Sequence, residues 1–333
     1  MNNKIVNSTK KNLRVISVIP GEGDKNSMIF AKRQIEYLTH AGVINRTFFL
    51  LSRTSPLKVL KEFIRLRNEI RTFKPDIIHA HYGTVTGFLS SFASNIPVII
   101  TFRGSDLNRN KEDRFFRWAL GHLFSQISAL KAKKIICVSE DLKKKLWLRK
   151  QQVAVLPTGV DTLIFAPKDR NEARLELGWE IDRRFVLFNA GKHPKAKSLD
   201  LAELSINIAK KIIGEISFIV LDGTVNPNKV PTLMNAADCL LLTSDKEGSP
   251  TVVQEAIACN LPVVSVAVGD VKERLSSVIP SAIVKRDPDN IAKALVELLA
   301  SPRRSNGRDH LREISLENIT KQIVSVYHEI SGQ

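Results

Sequence analysis

Two glutamates eight residues apart, Glu247 and Glu255, lie in the segment EGSPTVVQE of the second half of the chain. The apolar run before them predicts a strand that ends at Thr243, and a helix is predicted to open near Ser249–Thr251. Pro250 fits the first helical position, where an amide hydrogen would have no partner inside the helix. Free amides at a helix start suit a phosphate, and carboxylates accept hydrogen bonds from sugar hydroxyls. The alternative is that Glu247 caps the helix and Glu255 is solvated.

A pair of lysines follows the first predicted strand of the second half. In the segment VLFNAGKHPKAKS the strand ends at a Gly191–Lys192 turn, and Lys197 precedes the next helix. Two cations beside a strand-to-helix turn can neutralise a diphosphate leaving group. The alternative is that both lysines are ordinary surface residues on a turn.

The first half of the chain offers a weaker pattern of glycines and histidines. Gly21 and Gly23 lie between the first predicted strand and helix, and glycine lets a backbone approach a ligand closely. His79 and His81 stand at the end of a later strand, and residues at the carboxyl end of a parallel strand reach the ligand cleft. The sequence therefore favours a cleft position for both histidines, with a structural role as the alternative.

Arg103 and Asp106 follow the next predicted strand, in the segment PVIITFRGSDLN. A guanidinium group does not lose its proton in proteins, so Arg103 cannot act as a general base. Its fixed positive charge could instead hold an anionic ligand. We place both residues in the same predicted cleft.

Short apolar runs alternate with amphipathic helical stretches along the whole chain, which predicts parallel sheets covered by helices on both faces. Residues 156–167, LPTGVDTLIFAP, carry the proline and glycine punctuation of a boundary, after which the pattern restarts. We therefore predict two doubly wound α/β domains, residues 1–160 and 161–312, and a final helix in residues 313–333. The predicted strands are Leu13–Ile19, Thr47–Leu51, Ile77–Ala80, Val98–Phe102, Ile135–Val138, Val153–Leu156, Phe185–Asn189, Ile216–Leu221, Cys239–Leu242 and Pro262–Val266.

The segment EGSPTVVQEAIACNLPVVSVAVGDV resembles the signature of glycosyltransferase family four, retaining enzymes of the GT-B fold that include bacterial cell-surface polysaccharide transferases. That signature has two glutamates separated by seven residues, then a PVV strand and a glycine turn. Glu247, Gly248, Glu255, Pro262 and Gly269 stand in register with it. The resemblance implies two Rossmann-like domains that face a central cleft, with a C-terminal helix that crosses back to the first domain.

The resemblance also assigns roles to the residues of the second domain. It implies that Glu247 contacts the donor sugar, that Glu255 contacts the nucleotide ribose, and that Lys192 and Lys197 neutralise the diphosphate. Arginine is more common in the family at the position of Lys192, and lysine supplies the charge without a bidentate fork. The implied donor-binding residues are Gly191, Gly248, Ser249, Pro250, Thr251, Val252 and Glu255.

In the first domain the resemblance is looser. It implies that the loop of Gly21 and Gly23 faces the donor and acceptor across the cleft. The family often has a histidine–glycine pair where this chain has Arg103–Gly104, and this difference leaves the class of acceptor open. Arg103 could hold an anionic acceptor or the donor phosphate.

The reaction implied is metal-independent transfer of a sugar, with retained configuration, from a UDP- or GDP-sugar to a hydroxyl of a glycan or lipid-linked acceptor, without a cofactor. A nucleotide-sugar 2-epimerase of the same fold is the alternative enzyme. A basic protein that binds lipid or nucleic acid without catalysis is the alternative from another class. The chain has no RRM, KH or helix-turn-helix pattern, so we expect no nucleic-acid partner.

The net charge of +16 is placed entirely in the first half of the chain. Residues 1–165 hold 28 Lys and Arg against 12 Asp and Glu, whereas residues 166–333 hold 22 of each. A domain with one dominant sign attracts anionic partners such as phospholipid headgroups, although solubility alone is the alternative. Three cysteines without CxxC spacing fit a reducing compartment. We find no signal-peptide pattern and no membrane-spanning run, and expect a cytoplasmic protein peripheral to the membrane.

One predicted helix, within residues 111–134, combines bulky apolar residues with flanking cations, as in helices that lie in a headgroup region. Six further cations in residues 56–75 would add to its attraction to an anionic surface. The alternative is that the apolar side packs on the sheet. The apolar residues are Phe115, Phe116, Ala119, Leu123, Phe124 and Ile127.

Overall fold

The computed structural model describes residues 12–23, 27–109 and 113–332. The described chain forms two parallel sheets, one with the strand order β2-β1-β3-β4-β5-β6 and one with the order β11-β10-β9-β7-β8. Helices cover both faces of each sheet, which confirms the predicted doubly wound α/β fold. The strands lie within residues 14–155 and 184–284, and the exact domain limits near residues 160 and 312 stay predictions.

The first sheet carries five helices between its strands. Its strands are β1 (Arg14–Pro20), β2 (Ile44–Leu50), β3 (Ile77–His81), β4 (Val98–Phe102), β5 (Lys134–Cys137) and β6 (Val153–Val155). Its helices are α1 (Ile29–His40), α2 (Pro56–Phe73), α3 (Val85–Ala93), α4 (Phe115–Lys131) and α5 (Glu140–Lys144).

The second sheet follows the same alternation. Its strands are β7 (Arg184–Asn189), β8 (Ile216–Leu221), β9 (Cys239–Leu242), β10 (Val263–Val266) and β11 (Ala282–Val284). The helices are α6 (Arg170–Leu177), α7 (Leu199–Ile213), α8 (Val230–Ala236), α9 (Thr251–Ala258), α10 (Val271–Leu275), α11 (Pro288–Ala300) and α12 (Leu316–Ser331).

Alternate residues of each strand supply two separate apolar layers. In the first sheet, Ile16, Ile78 and Ile100 pack under α2, α3 and α4. Their neighbours Val15 and Ile77 face the other way, toward α1 and α12. Each fully buried aliphatic side chain contributes about 1.5–3 kcal/mol relative to an exposed one, so both layers are needed to hold the sheet rigid.

Helix α12 returns to the first sheet, as predicted. Ile319, Ile323 and Val326 pack against the layer that contains Val15 and Ile77. Ser315 caps the start of the helix by accepting a hydrogen bond from the amide of residue 318, at 3.2 Å. The chain therefore crosses twice between its two halves.

Candidate active site between the two sheets

Lys197 and Glu247 meet at the carboxyl edge of the second sheet. Each lies in the loop that follows one of two neighbouring strands, β7 and β9. Lys197 Nζ is 2.5 Å from Glu247 Oε1, although the two residues are 50 positions apart in sequence. The Thr243 hydroxyl donates to the carbonyl oxygens of Lys197 and Ser198, at 3.0 and 2.9 Å, and thereby fastens one loop to the other.

The start of α9 lies directly after Glu247 and differs in detail from the prediction. Pro250 is the residue before the helix rather than its first residue, because its ψ of 114° is extended. The helix starts at Thr251, so the amides of Thr251 and Val252 occupy the first two helical positions, which have no acceptor inside a helix. Pro250 has no side chain that could cap them, and Glu247 pairs with Lys197 instead. The helix-cap alternative for Glu247 is therefore wrong.

Ser249 is buried and holds the loop in place. Its hydroxyl donates to Asp270 Oδ2 and accepts from the Gln254 side-chain amide, both at 2.8 Å. Burial raises the pKa of Asp270, although Arg274 beside it opposes this effect. Ser249 thus connects α9 to the start of α10.

Glu255 is the fifth residue of α9, and its carboxyl group makes no hydrogen bond within the described residues. Burial raises the pKa of its carboxyl group to about 7, and Arg33 of the first domain opposes this effect. A fully solvated Glu255 does not fit this environment. Arg33 also stacks over the ring of Phe165 at 5.3 Å, so both halves of the chain contribute to the surroundings of Glu255.

The glycine turn after β7 is tight, and its lysine is exposed. Gly191 has a φ of +51°, and its amide donates to Leu221 O at 2.9 Å and to Asn189 Oδ1 at 3.1 Å. The Lys192 side chain projects from this turn into solvent, whereas Lys197 is only 29% exposed. The two predicted phosphate-binding lysines thus have different environments.

The loop after β4 of the first domain touches the glutamate loop directly. A Cβ atom added to Gly248 would lie 2.4 Å from Arg103 O, and one added to Gly104 would lie 3.3 Å from the Gly248 amide nitrogen. Asn108 Nδ2 donates to Glu247 O at 3.2 Å, and its Oδ1 accepts from Lys145 Nζ at 2.5 Å. Asn108 was not among the predicted site residues.

Arg103 is a buried cation whose hydrogen-bond partners are neutral. Its Nη2 donates to Gln34 Oε1 at 2.9 Å and lies 2.8 Å from His81 Nδ1, and its Nη1 donates to Thr158 Oγ1 at 3.3 Å. Only 9% of the residue is exposed, and burial lowers its pKa to about 10. The Nε atom is buried and has no hydrogen-bond partner in the part of the chain that the structure describes. Gln34 and Thr158 could not be predicted from a local pattern, because they come from distant segments.

Three of the predicted cleft residues, His79, His81 and Asp106, are buried and contact other groups of the protein. His79 is fully buried, with Nδ1 and Nε2 each 2.7 Å from a hydroxyl, those of Tyr327 and Thr101. His81 is also fully buried and stacks on His79 at 4.6 Å. Burial lowers the pKa of both rings, for His79 to about 3. The expectation that His79 faces the cleft is therefore wrong, because one of its nitrogens binds within the first sheet and the other binds the last helix.

Asp106 also acts within its own loop. Its carboxylate accepts hydrogen bonds from the amides of Gly83, Arg103 and Gly104, at 2.9 to 3.2 Å. Burial raises its pKa, whereas these amides oppose the rise. Asp106 therefore shapes the loop that carries Arg103 rather than presenting a free carboxylate to the cleft.

Gly21 and Gly23 both have positive φ values, +117° and +80°, in the loop after β1. A Cβ atom on Gly23 would meet the Phe49 ring at 3.1 Å. The carbonyl oxygen of Gly23 accepts a hydrogen bond from Lys32 Nζ at 3.3 Å. These contacts explain why glycine is suited to this turn. The next three residues, 24–26, lie outside the described part of the chain.

Comparison with protein families identifies the family of the chain. Residues 15–162 match the model described as glycosyltransferase family 4, and residues 177–301 match the model described as glycosyl transferases group 1. The chain belongs to glycosyltransferase family four. Together the two matches span both sheets, and they confirm the resemblance seen in the motif around Glu247.

Three relatives are glycosyltransferases by name. An uncharacterised glycosyltransferase of Methanocaldococcus jannaschii is 26% identical over 290 residues, 80% of this chain and 78% of the relative. TuaC of Bacillus subtilis, named for teichuronic acid biosynthesis, is 30% identical over 225 residues, 60% of this chain and 55% of the relative. A D-inositol 3-phosphate glycosyltransferase of Mycobacterium tuberculosis is 28% identical over 220 residues, 55% of this chain and 45% of the relative. The matches to the latter two thus span about half of each relative.

Solved structures share the fold at low sequence identity. A sucrose-phosphate synthase from Thermosynechococcus elongatus superimposes with a TM-score of 0.76 at 17% identity, over 96% of this chain and all of that chain. The Anabaena protein HepE, solved with UDP, has a TM-score of 0.70 at 14% identity, over 95% of this chain and all of that chain. A UDP-GlcNAc 2-epimerase of Methanocaldococcus jannaschii has a TM-score of 0.59 at 14% identity, over 95% of this chain and all of that chain.

Proposed function

We propose that this glycosyltransferase moves a sugar from a nucleoside-diphosphate sugar to an acceptor hydroxyl with retention of configuration. The observation that carries the proposal is the 2.5 Å pair of Lys197 and Glu247 beside the open start of α9. A cation, a carboxylate and unpaired helix amides at one sheet edge match the phosphate, sugar and charge of such a donor. A fold relative solved with UDP supports the same type of donor.

Each group has a separate part in the proposed donor complex. Glu255 accepts hydrogen bonds from the ribose hydroxyls, and the amides of Thr251 and Val252 face the diphosphate. Lys197 exchanges its partner, leaving Glu247 for the phosphate oxygens, while Lys192 approaches from the solvent side. Glu247 is then available to the sugar hydroxyls, so the ion pair of the ligand-free site keeps both groups in place until the donor arrives.

The proposed reaction is a front-face displacement. The acceptor hydroxyl attacks the anomeric carbon on the side from which the diphosphate leaves, and a leaving phosphate oxygen takes the hydroxyl proton. The two lysines and the helix amides stabilise the charge that develops on the diphosphate. The protein otherwise contributes by holding donor and acceptor in a reactive arrangement. The proposal requires no metal ion and no cofactor, because the lysines supply the positive charge.

The acceptor side of the cleft favours a ligand with a negative group. The side-chain nitrogens of the buried Arg103 hydrogen-bond only to neutral groups within the described residues, and Asp106 is the nearby acid that favours its charge. A further negative group, supplied by the acceptor, would stabilise this buried cation. We therefore propose a glycan or lipid-linked acceptor that carries a phosphate. One relative is named for transfer to an inositol phosphate, which supports an acceptor of this chemistry.

The alternative of a 2-epimerase is less well supported. That reaction needs an acid and a base beside the sugar, and the two candidate histidines, His79 and His81, are both buried in the first domain. Incubation of the protein with UDP-N-acetylglucosamine, without an acceptor, tests this alternative. Recovery of the unchanged nucleotide sugar, with no 2-epimer formed, would exclude it.

A thermal-shift experiment tests the donor site. Nucleotide sugar at a hundred times its Kd should add about 2.7 kcal/mol to the stability of the native state. We expect one of UDP-glucose, UDP-N-acetylglucosamine or GDP-mannose to raise the Tm of the parent protein. The shift should be largely lost in Glu255→Ala, and it should persist in Glu203→Ala, which changes an exposed glutamate of α7.

The pH dependence gives this experiment an internal control. Because the pKa of Glu255 is raised to about 7, the carboxyl group is mostly neutral at pH 6 and mostly ionised at pH 8. Ribose hydroxyls donate best to the ionised form, so nucleotide affinity should rise by up to about tenfold across this range. Glu255→Gln should remove this rise, because the diphosphate of a nucleotide sugar is esterified at both ends and does not titrate between pH 6 and pH 8. A parent-like shift in Glu255→Ala would contradict the assignment.

The outer face of α4 supports attachment to an anionic membrane. Its buried residues are small or polar, such as Ser125, Gln126 and Ser128, whereas Phe116 is 85% exposed. The alternative in which the apolar side packs on the sheet is therefore wrong for the first turns of the helix. We define the membrane-facing patch as Phe115, Phe116, Leu120, Leu123, Trp147 and Leu148, all exposed. No helix in the described ranges is long and apolar enough to cross a membrane.

Liposome co-sedimentation tests this patch. The protein should pellet with vesicles that contain anionic lipid, and high salt should release it, because the Debye length falls to about 3 Å at 1 M. Phe116→Ser should weaken binding strongly. Leu163→Ser is the matched control, since Leu163 is also 85% exposed but lies outside the patch. Equal binding of both variants, or none by the parent, would remove the membrane from the proposal.

A further inference from the structure

A second cavity lies at the amino ends of the strands of the second sheet, whereas the donor residues lie at their carboxyl ends. It has a volume of about 290 Å³, and its lining includes Arg170 at the start of α6, Asp238 just before β9, and residues 302–304 after α11. Glu247 follows the carboxyl end of β9, whereas Asp238 precedes its amino end. We call this space the basic cavity, because its lining contains Lys168, Arg170, Arg303 and Arg304.

The inner wall of the basic cavity has more positive than negative charge. The Asp238 carboxylate accepts from Arg170 Nη1 at 2.8 Å and from Arg174 Nη2 at 2.7 Å. It also accepts from the amide of Phe185 at 2.8 Å, so most of its capacity is used. Asp169, the other acid in the lining, caps α6 by accepting from two amides of its first turn. Neither acid hydrogen-bonds to Arg304.

Within the described part of the chain, Arg304 forms no salt bridge with either acid, although Asp238 lies close enough to favour its charged form. Its Nη1 donates to the carbonyl oxygens of Met234 and Ala237, at 3.4 and 3.1 Å. Its Nη2 is buried and has no hydrogen-bond partner among the described residues. Burial and then the nearby Arg170 lower its pKa to about 10, whereas Asp238 opposes this effect.

The rim of the cavity adds two flexible cations. The side chains of Lys168 and Arg303 are exposed, and neither makes a hydrogen bond or ion pair within the described residues. Long basic side chains above a buried guanidinium form a common arrangement for binding phosphate groups, because arginine donates in parallel and lysine supplies a mobile charge.

We propose that the basic cavity is a second anion site, which binds a small ligand with one or two phosphoryl groups. Arg170 and Arg304 supply fixed positive charge in the wall of the cavity, and Lys168 and Arg303 donate hydrogen bonds to the phosphoryl oxygens from the rim. The site is separate from the donor cleft, so its occupancy does not require that the donor assignment is correct.

The proposal is tested by calorimetric titration of the full chain with inorganic pyrophosphate, and separately with phosphate. Pyrophosphate could also enter the donor cleft, so the titrations use a Lys192→Ala/Lys197→Ala background as well as the parent. We expect one binding event to remain in that background. Adding Arg304→Gln should weaken the remaining event by about tenfold, as expected for the loss of one positive charge from the cavity wall.

Two further variants keep the test decisive if Arg304→Gln is unstable through loss of its bonds to Met234 and Ala237. Arg303→Gln and Lys168→Gln change exposed rim residues, so the Tm without ligand should not change, and each should weaken pyrophosphate binding several-fold. Lys321→Gln, an exposed lysine of α12, is the control and should bind like the background. Absence of binding in the background, or unchanged affinity in the rim variants, would overturn the proposal.

Discussion

Replacing Lys197 with alanine is expected to lower turnover by about 10²–10³-fold, the range found when a group that stabilises developing charge is removed. Lys197 Nζ is the cation already held 2.5 Å from Glu247, at the sheet edge where α9 starts. Without it, the leaving diphosphate loses its partly buried counter-charge. The measurement is kcat with a saturating nucleotide sugar and acceptor, and Lys195→Ala in the same loop serves as the control.

The stability of Lys197→Ala separates a catalytic from a structural role. Its side chain is 29% exposed, and partly exposed ion pairs contribute about 0–1 kcal/mol to folding. The Tm should therefore change little. A fall in Tm large enough to explain the lost activity would instead mark the Lys197–Glu247 pair as a structural contact between two loops.

A single methyl group on Gly248 should have the second large effect. The Cβ of Gly248→Ala would lie 2.4 Å from Arg103 O in the opposite domain, well inside van der Waals contact. The backbone of Gly248 is not in the left-handed region, so alanine is disfavoured by this clash and by a 3.1 Å approach to Leu142 Cδ1 rather than by its backbone conformation. We expect each domain to fold and the nucleotide to bind, while turnover falls by more than about tenfold because the two halves no longer meet correctly.

Small-angle scattering and kinetics together test the effect of Gly248→Ala. The variant should have a larger radius of gyration than the parent in the presence of donor, and its kcat should fall more than its nucleotide affinity. Gly121→Ala is the control, since its Cβ would meet only Thr84, at 3.7 Å. A variant with parent-like scattering and activity would show that the close contact is not needed for the reaction.

Much of the fold could be predicted from the sequence because parallel strands buried on both faces are continuous apolar runs. Val98–Phe102, Ile216–Leu221 and Cys239–Leu242 were predicted to the residue. The edge strand β2 was predicted three residues short at its start, since its first half is polar and partly exposed. The strand β11 was missed, because three residues are too few to form a recognisable run.

The candidate site could be predicted only where its residues lie in local motifs. Lys197 and Glu247 stand in such motifs, and the structure brings them together. Asn108 acts through a contact between domains, which no local pattern reveals. His79 illustrates the opposite limit, because its partner Tyr327 lies 248 positions away in the last helix. A strand-end position alone does not show which side chains reach a ligand.

The route of α12 also constrains how the protein is made. As the chain leaves the ribosome, the first sheet emerges early, but the helix that covers the Val15 and Ile77 face is synthesised only after the whole second sheet. Until α12 is made, only α1 covers that apolar face, and the part left exposed in the nascent chain can aggregate or recruit a chaperone. The N-terminal half expressed alone should therefore be prone to aggregation. Deletion of residues 316–331 should destabilise the first sheet rather than the donor domain, which is next to them in sequence.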